Sequence, residues 1–310
     1  MLDRDVAVVL ARLRAEATEL PRDSDPVSQR RASTEARTAW LAGRADPTVD
    51  QHDIAVPARD GYSIPTRRYT PPADGPTRPT LVIFAHGGGW VTGGLDSHDA
   101  LRAELARQAD CLVLAVDYRR SPEYRYPVPL DDVHDVAAWA LTGALPEWTG
   151  QNLVLAGDSA GGTIAAVLAQ RLRGNPALRG QLLLYPIVDH DFERESYQHF
   201  GSGYTLDDAD MRWYWDQYAP DTAARDDASV SPLQADDFTG RPPALIVLAE
   251  YDVLLDEGRD YAARLIEAGI DCDAFVVPGM VHGFLRMGAV VSGAHPVIKR
   301  CAAFVRRAAD

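Results

Sequence analysis

The sequence predicts an α/β fold, a mostly parallel central sheet with helices packed on both of its faces. Three observations carry this reading. Short apolar runs of strand length recur from about residue 80 onward. Several are rich in Val, Ile and Leu throughout, as strands buried on both faces require. Amphipathic stretches long enough for helices separate them, the rhythm of parallel strands joined by crossover helices.

In chain order, residues 1–46 stand outside that rhythm and read as two helices split near Pro21–Pro26. Asp53–Val56 and Ile64–Tyr69 follow, separated by ARDGY, whose Asp-Gly pair signals a turn; they read as an antiparallel pair at the sheet's edge. The strand runs are Thr80–Ala85, Cys111–Val116, Asn152–Ala156, Gln181–Val188, Ala244–Ala249 and Asp273–Val277. Helices are expected over about 97–109, 128–142, 160–173, 256–268 and 293–308. Residues 190–225 interrupt the rhythm a second time. There Asp207 or Asp208 is placed to cap a helix carrying Met211, Trp213, Tyr214, Trp215 and Tyr218. That aromatic cluster reads equally as helix packing and as the wall of a pocket.

Composition narrows the function. Apolar residues make up 46% of the 310 and charged residues 25%, so a sizeable core is available. The formal net charge of -14 repels a phosphate backbone, and the densest basic spots are pairs such as Arg67-Arg68 and Arg119-Arg120. No nucleic-acid partner is expected. Three cysteines (Cys111, Cys272 and Cys301) build no disulfide framework in a chain of this size. The first twenty residues are charged throughout, and no stretch approaches 18 uninterrupted apolar residues. Neither a secretory leader nor a membrane partner is expected, and the cytoplasm is the default compartment.

The chemistry concentrates in NLVLAGDSAGG, residues 152–162, where Gly157-x-Ser159-x-Gly161 lies between a strand and the helical pattern TIAAVLAQRL. A nucleophile on a sharp strand-to-helix turn needs that context, with glycines where side chains would collide. A serine hydroxyl is a weak nucleophile and needs a base, which in turn needs an orienting acid. Asp252 follows the run ALIVLA and His282 follows DAFVV, so the sheet's carboxyl edge brings both beside Ser159. Glu250 is the competing acid, placed closer to the strand end. The other histidines lie in helical or connecting segments and read as surface or packing residues. His86-Gly87-Gly88-Gly89-Trp90 follows TLVIFA and offers backbone amides to a developing oxyanion, joined by the amide of Ala160 at the start of the helix. His86 reads as a prop for this loop. A phosphate-binding reading fails, because no Gly-Lys-Ser/Thr follows the glycines.

These parts resemble the hormone-sensitive-lipase-like family of esterases, the bacterial branch in particular, which has the α/β-hydrolase fold. The resemblance is carried by HGGGW at 86–90, DYRRSPEYRYPVPLDD at 117–132, GDSAGG at 157–162, EYDVLLDEG at 250–258 and GMVHGF at 279–284. It extends over nearly the whole chain, and implies a catalytic domain from 47–189 and 226–310. Residues 1–46 and 190–225 then match the family's helical cap. It also implies that Gly88 and Gly89 donate to the oxyanion, that short to medium acyl esters are cleaved, and that neither metal nor cofactor takes part. A homodimer paired through the edge strand at Asp271–Val277 follows from the same resemblance. DYRRSPEYRYP departs from the family, which commonly has Leu-Ala before the Pro-Glu.

The expected reaction is a two-step acyl transfer from a small-molecule ester, with Ser159 as nucleophile, His282 as base and Asp252 orienting the imidazole. Trp90, Tyr204, Met211, Trp213, Trp215, Leu254 and Val281 are the candidate pocket residues, and such a wall favours neutral apolar acyl groups. Two other readings stay open: hydrolysis of a formamide or another activated amide, and a small-molecule receptor with a disabled site.

Overall fold

The computed structural model describes residues 1–17, 25–72 and 78–308. The helix break expected near Pro21–Pro26 falls mostly on residues 18–24, outside the described residues. Eight strands form one sheet: β1 (Asp50–Pro57), β2 (Ser63–Thr70), β3 (Arg78–Ala85), β4 (Leu112–Val116), β5 (Trp148–Asp158), β6 (Leu178–Leu184), β7 (Ala244–Tyr251) and β8 (Cys272–Val281). Their spatial order is β1-β2-β4-β3-β5-β6-β7-β8. Only the β1–β2 and β2–β4 pairs are antiparallel; the other pairings are parallel. After β3 the chain crosses to β4 on one side and then returns to β5 on the other. The carboxyl ends of β3 and β5 therefore flank a topological switch point, where open α/β sheets gather ligand chemistry.

Alternation along the strands splits the core in two. Leu81, Ile83 and Ala85 of β3 join Leu112, Leu114, Leu153 and Leu155 on one face. Val82 and Phe84 join Val113, Ala115, Val154 and Ala156 on the other. This period of two is the consequence of the pleat. The first face is covered by α4 (Val128–Trp139), α5 (Ala160–Arg171) and α8 (Leu255–Glu267). The second is covered by α3 (Asp99–Ala109) and α9 (Ala294–Arg307), with α1 (Arg4–Ala17) beside them. In α9 the apolar side chains of Val297, Ile298, Cys301, Phe304 and Val305 recur at helical spacing and are all buried.

The two segments outside the rhythm meet above this sheet. Residues 1–46 supply α1 and α2 (Pro26–Leu41), while 190–225 supply α6 (Glu195–Phe200) and α7 (Asp208–Tyr218). Asp207 is the N-cap of α7, and Asp210 completes a capping box with it. The second and seventh helices are tied by Arg30 Nη2 and Asp210 Oδ1 at 2.7 Å. Arg14 Nη2 of the first helix donates to the Gly203 carbonyl at 2.9 Å. Among the described residues no helix is long and apolar enough to cross a membrane.

Candidate active site

The strand β5 ends at Asp158 and α5 begins at Ala160, leaving Ser159 alone at the junction. Its backbone is held at φ 54° and ψ −121°. A positive φ in a residue with a Cβ costs on the order of 1–3 kcal/mol, so surrounding contacts must enforce it. They do: Ser159 N donates to Leu184 O at 2.9 Å, anchoring the turn to β6. A Cβ on Gly157 would stand 2.2 Å from Gly161 O, and one on Gly161 would stand 2.1 Å from Ala85 O. The G-x-S-x-G spacing is thus the signature of three backbone segments packed without room for side chains.

From this turn the serine meets the two late loops. His282 Nε2 lies 2.9 Å from Ser159 Oγ, and His282 Nδ1 lies 2.8 Å from Asp252 Oδ2. A carboxylate accepts only, so Nδ1 carries the proton and Nε2 is left to accept from the serine hydroxyl. Asp252 is 2% exposed, and its other oxygen accepts the amide of Leu254 at 3.0 Å. Tyr185 packs edge-on against the imidazole, with ring centroids 4.9 Å apart. Glu250 is turned elsewhere: its Oε2 accepts Gly279 N at 2.6 Å, bracing the end of β8 that leads to His282.

The glycine loop after β3 reaches the same place. Gly88 and Gly89 have φ of 116° and 59°, and both line the cavity that contains Ser159 and His282. Ala160 opens α5, so its amide sits at a helix N-terminus beside the serine. His86 is fully buried, with Nδ1 2.8 Å from Gly87 O and its ring stacked 4.2 Å from that of Tyr118. It contacts the loop, which matches the expected prop.

Beneath the loop lies a pair that sequence reading missed. Asp158 Oδ1 accepts Gly87 N at 2.8 Å, and Asp158 Oδ2 faces His98 Nε2 at 3.0 Å. Burial pushes His98 down to about 4, more than the neighbouring carboxylate raises it. Burial pulls Asp158 upward, but His98, Arg286 and the Gly87 amide together take it down to about 2. At neutral pH the pair is therefore a neutral imidazole donating to a carboxylate. Nothing local in the sequence joins residue 98 to residue 158. The only available signal was the general requirement that a buried aspartate, here the one next to Ser159, find a partner.

The cavity above Ser159 has a volume of about 510 Å³. Of the seven pocket residues expected from sequence, only Met211 lies in its wall. Trp90 and Trp215 are buried, with Trp90 stacked on Tyr218 at 4.1 Å and tilted against Trp215 at 5.0 Å. Leu254 and Val281 are likewise fully buried in the core. Tyr204 packs against Phe200 and Tyr251, and Trp213 lies under the Arg30 guanidinium at 4.4 Å. The helical period explains this outcome. Met211 and Tyr214, three apart, face the cavity; Trp215 and Tyr218 turn further into the core, and Trp213 turns away. The expected wall of neutral apolar side chains is corrected too, since Arg30, Arg37, Asp158, Asp210 and Arg286 all take part in it.

This geometry accords with similarity to known proteins. Residues 82–286 match the family described as α/β hydrolase fold. The chain is 38% identical over 282 residues to an ethyl acetate hydrolase of Pseudomonas putida, covering 89% of this chain and 88% of that protein. It belongs to the α/β-hydrolase family. Within that family it falls in the hormone-sensitive-lipase-like branch that its motifs resemble. An arylesterase of Saccharolobus solfataricus is 34% identical over 243 residues, 77% of this chain and 78% of the relative. Among solved α/β-hydrolase structures, an ester hydrolase from the metagenome of Lake Arreo, bound to a bipyridine phosphonate derivative, superposes with a TM-score of 0.90. It is 36% identical and covers 99% of both chains.

Proposed function

We propose that this α/β-hydrolase is a serine carboxylesterase acting on small esters of short to medium acyl chain length. The observation that carries the reading is the unbroken hydrogen-bonded chain from Ser159 Oγ through His282 to Asp252, held at the floor of a cavity. His282 Nε2 takes the hydroxyl proton as Oγ attacks the ester carbonyl, and Asp252 stabilises the imidazolium that results. Gly88, Gly89 and Ala160 direct amides at the carbonyl oxygen as it becomes negative; one donor of this kind is worth about 10²–10³ in rate. The imidazolium then protonates the departing alcohol. A water molecule, deprotonated by the same imidazole, releases the acid and restores the serine.

The names of the relatives favour esters over the formamide reading, since those reported above are all ester hydrolases. The complete serine–histidine–aspartate chain speaks against a receptor role. We further read α1, α2, α6 and α7 as a cap over the catalytic domain, residing in the cytoplasm with the rest of the chain. The edge position of β8 supports pairing of two copies through Asp271–Val277.

The test is hydrolysis of p-nitrophenyl esters from acetate to palmitate, with the unaltered protein and Ser159→Ala side by side. Release peaking at short or medium chains and lost in the variant is the expected result. A folded protein inactive on the whole series would return the choice to amides or to a receptor.

A further inference from the structure

The charged groups of the cavity wall are unequally matched. Arg30 is paired with Asp210 at 2.7 Å, and Arg37 is paired with Glu16 at 3.3 Å. Asp158 has both oxygens engaged, one by the Gly87 amide and one by His98. Arg286 is the exception: among the described residues its guanidinium makes no hydrogen bond and no ion pair. It is half-buried, so this bareness is not that of a surface side chain trailing in water.

Its place is fixed by the loop that bears the base. Arg286 lies in the short turn Phe284–Met287, and its amide donates to Gly283 O at 3.2 Å. Its Nε stands 3.6 Å from where a Cβ on Gly283 would be, and Gly283 follows His282 directly. The guanidinium is thus laid along the backbone next to the base, in the wall of the cavity that contains Ser159. A partly desolvated arginine with free donors is a strong site for a carboxylate, because its planar fork matches the two oxygens. The chain as a whole carries −14, and the Asp158 carboxylate in the same wall acts on this guanidinium through space without an ion pair, so what the wall offers an anion is free guanidinium donors.

We propose that Arg286 is an anion-recognition residue, and that the substrates include esters bearing a carboxylate on the acyl or the alcohol half. The inference rests on the esterase reading and refines it, naming a charged substrate class where sequence favoured neutral ones. Arg286 would determine specificity by binding a remote carboxylate, leaving the acyl-transfer steps unchanged.

The experiment uses two matched pairs, with acid release followed by pH-stat. Monoethyl glutarate is compared with ethyl pentanoate, placing the charge on the acyl half. The second pair, 3-acetoxypropanoate and butyl acetate, places it on the alcohol half. The expected result is that Arg286→Gln lowers the charged-to-neutral ratio of kcat/KM by about tenfold or more for one pair, the scale of a lost hydrogen bond to a charged group. Arg286→Lys should recover part of that ratio. The pair that responds identifies which half carries the carboxylate.

The unaltered protein supplies a check that no folding defect can confuse. Raising NaCl from 50 mM to 1 M should raise KM for the charged ester of that pair, because local attraction is screened. If only the overall negative field acted on the anion, KM would fall instead. Ratios unchanged in both pairs, or a falling KM, overturn the inference. Should the neutral esters resist hydrolysis, the esterase reading fails by itself. Calorimetric binding of 3-acetoxypropanoate and glutarate, present in the unaltered protein and lost in Arg286→Gln, then still decides the anion site.

Discussion

The amide of Gly87 donates to the carboxylate of Asp158 across 2.8 Å, so the glycine loop after β3 is fastened to the strand that leads into Ser159. The same carboxylate is held from behind by His98, which is itself in contact with Ser97 Oγ at 2.7 Å. A chain of polar groups in the core thus fixes the spacing between two halves of the site. Buried networks of this kind are costly when half satisfied, and their protonation state becomes a matter of stability.

His98 makes this measurable. Its folded value lies at about 4, below the ordinary 6.5, because burial disfavours the charged ring. A depressed folded value means that the unfolded chain binds more protons, so stability is complete above pH 6.5 and declines as pH falls toward 4. Asp158, depressed from 3.8 to about 2, adds a second loss only below pH 3.8. Thermal melts between pH 7 and pH 4 are expected to show a falling midpoint, and His98→Gln to flatten that dependence. Gln keeps an N–H for Asp158 but cannot titrate. An unchanged slope in the variant would place the acid sensitivity elsewhere.

The choice between the two acids at the carboxyl end of β7 can be settled by kinetics. Asp252 Oδ2 lies against the imidazole, whereas Glu250 braces the Gly279 amide. Asp252→Asn should remove about 10⁴ from kcat, the scale seen where an amide replaces a triad carboxylate. Glu250→Gln retains an oxygen able to accept from Gly279, and less than about tenfold should be lost. A larger loss in the Glu250 variant would reverse the assignment.

Strand syntax explains why the three groups of the site were readable and its wall was not. Ser159, Asp252 and His282 each follow an apolar run, and a parallel sheet brings the carboxyl ends of such runs to one edge regardless of detail. Helix boundaries were similarly legible: 160–173 and 293–308 were expected, and Ala160–Arg171 and Ala294–Arg307 are found. The cavity wall depends instead on how α2 and α7 rotate against one another. Trp213, Tyr214 and Trp215 are consecutive, yet one lies under Arg30, one faces the cavity and one enters the core. Composition cannot distinguish them, because their rotation is set by tertiary contacts such as Arg30 with Asp210. Arg30 and Arg37 stood in a segment recognised only as helical, and Arg286 lay just beyond the GMVHGF motif.

Glu257 gives the opposite pH dependence from His98. It is fully buried on α8, where its Oε1 accepts the amides of Val188 at 2.8 Å and Asp189 at 3.3 Å. Its Oε2 has no partner among the described residues, and burial pushes the carboxyl well above the ordinary 4.5. The two amides and Arg194 oppose that rise without cancelling it. The folded state therefore holds a proton that the unfolded chain releases once pH exceeds 4.5, and stability falls as pH climbs beyond that point. Glu257→Gln preserves an acceptor for both amides and removes the titration. Urea unfolding should find the variant closest to the unaltered protein near pH 4.5 and relatively more stable at pH 8, where the glutamate bears its full linkage cost. Equal pH slopes for the two proteins would show that Glu257 is ionised in the fold, and that Arg194 compensates the buried charge more fully than its geometry implies.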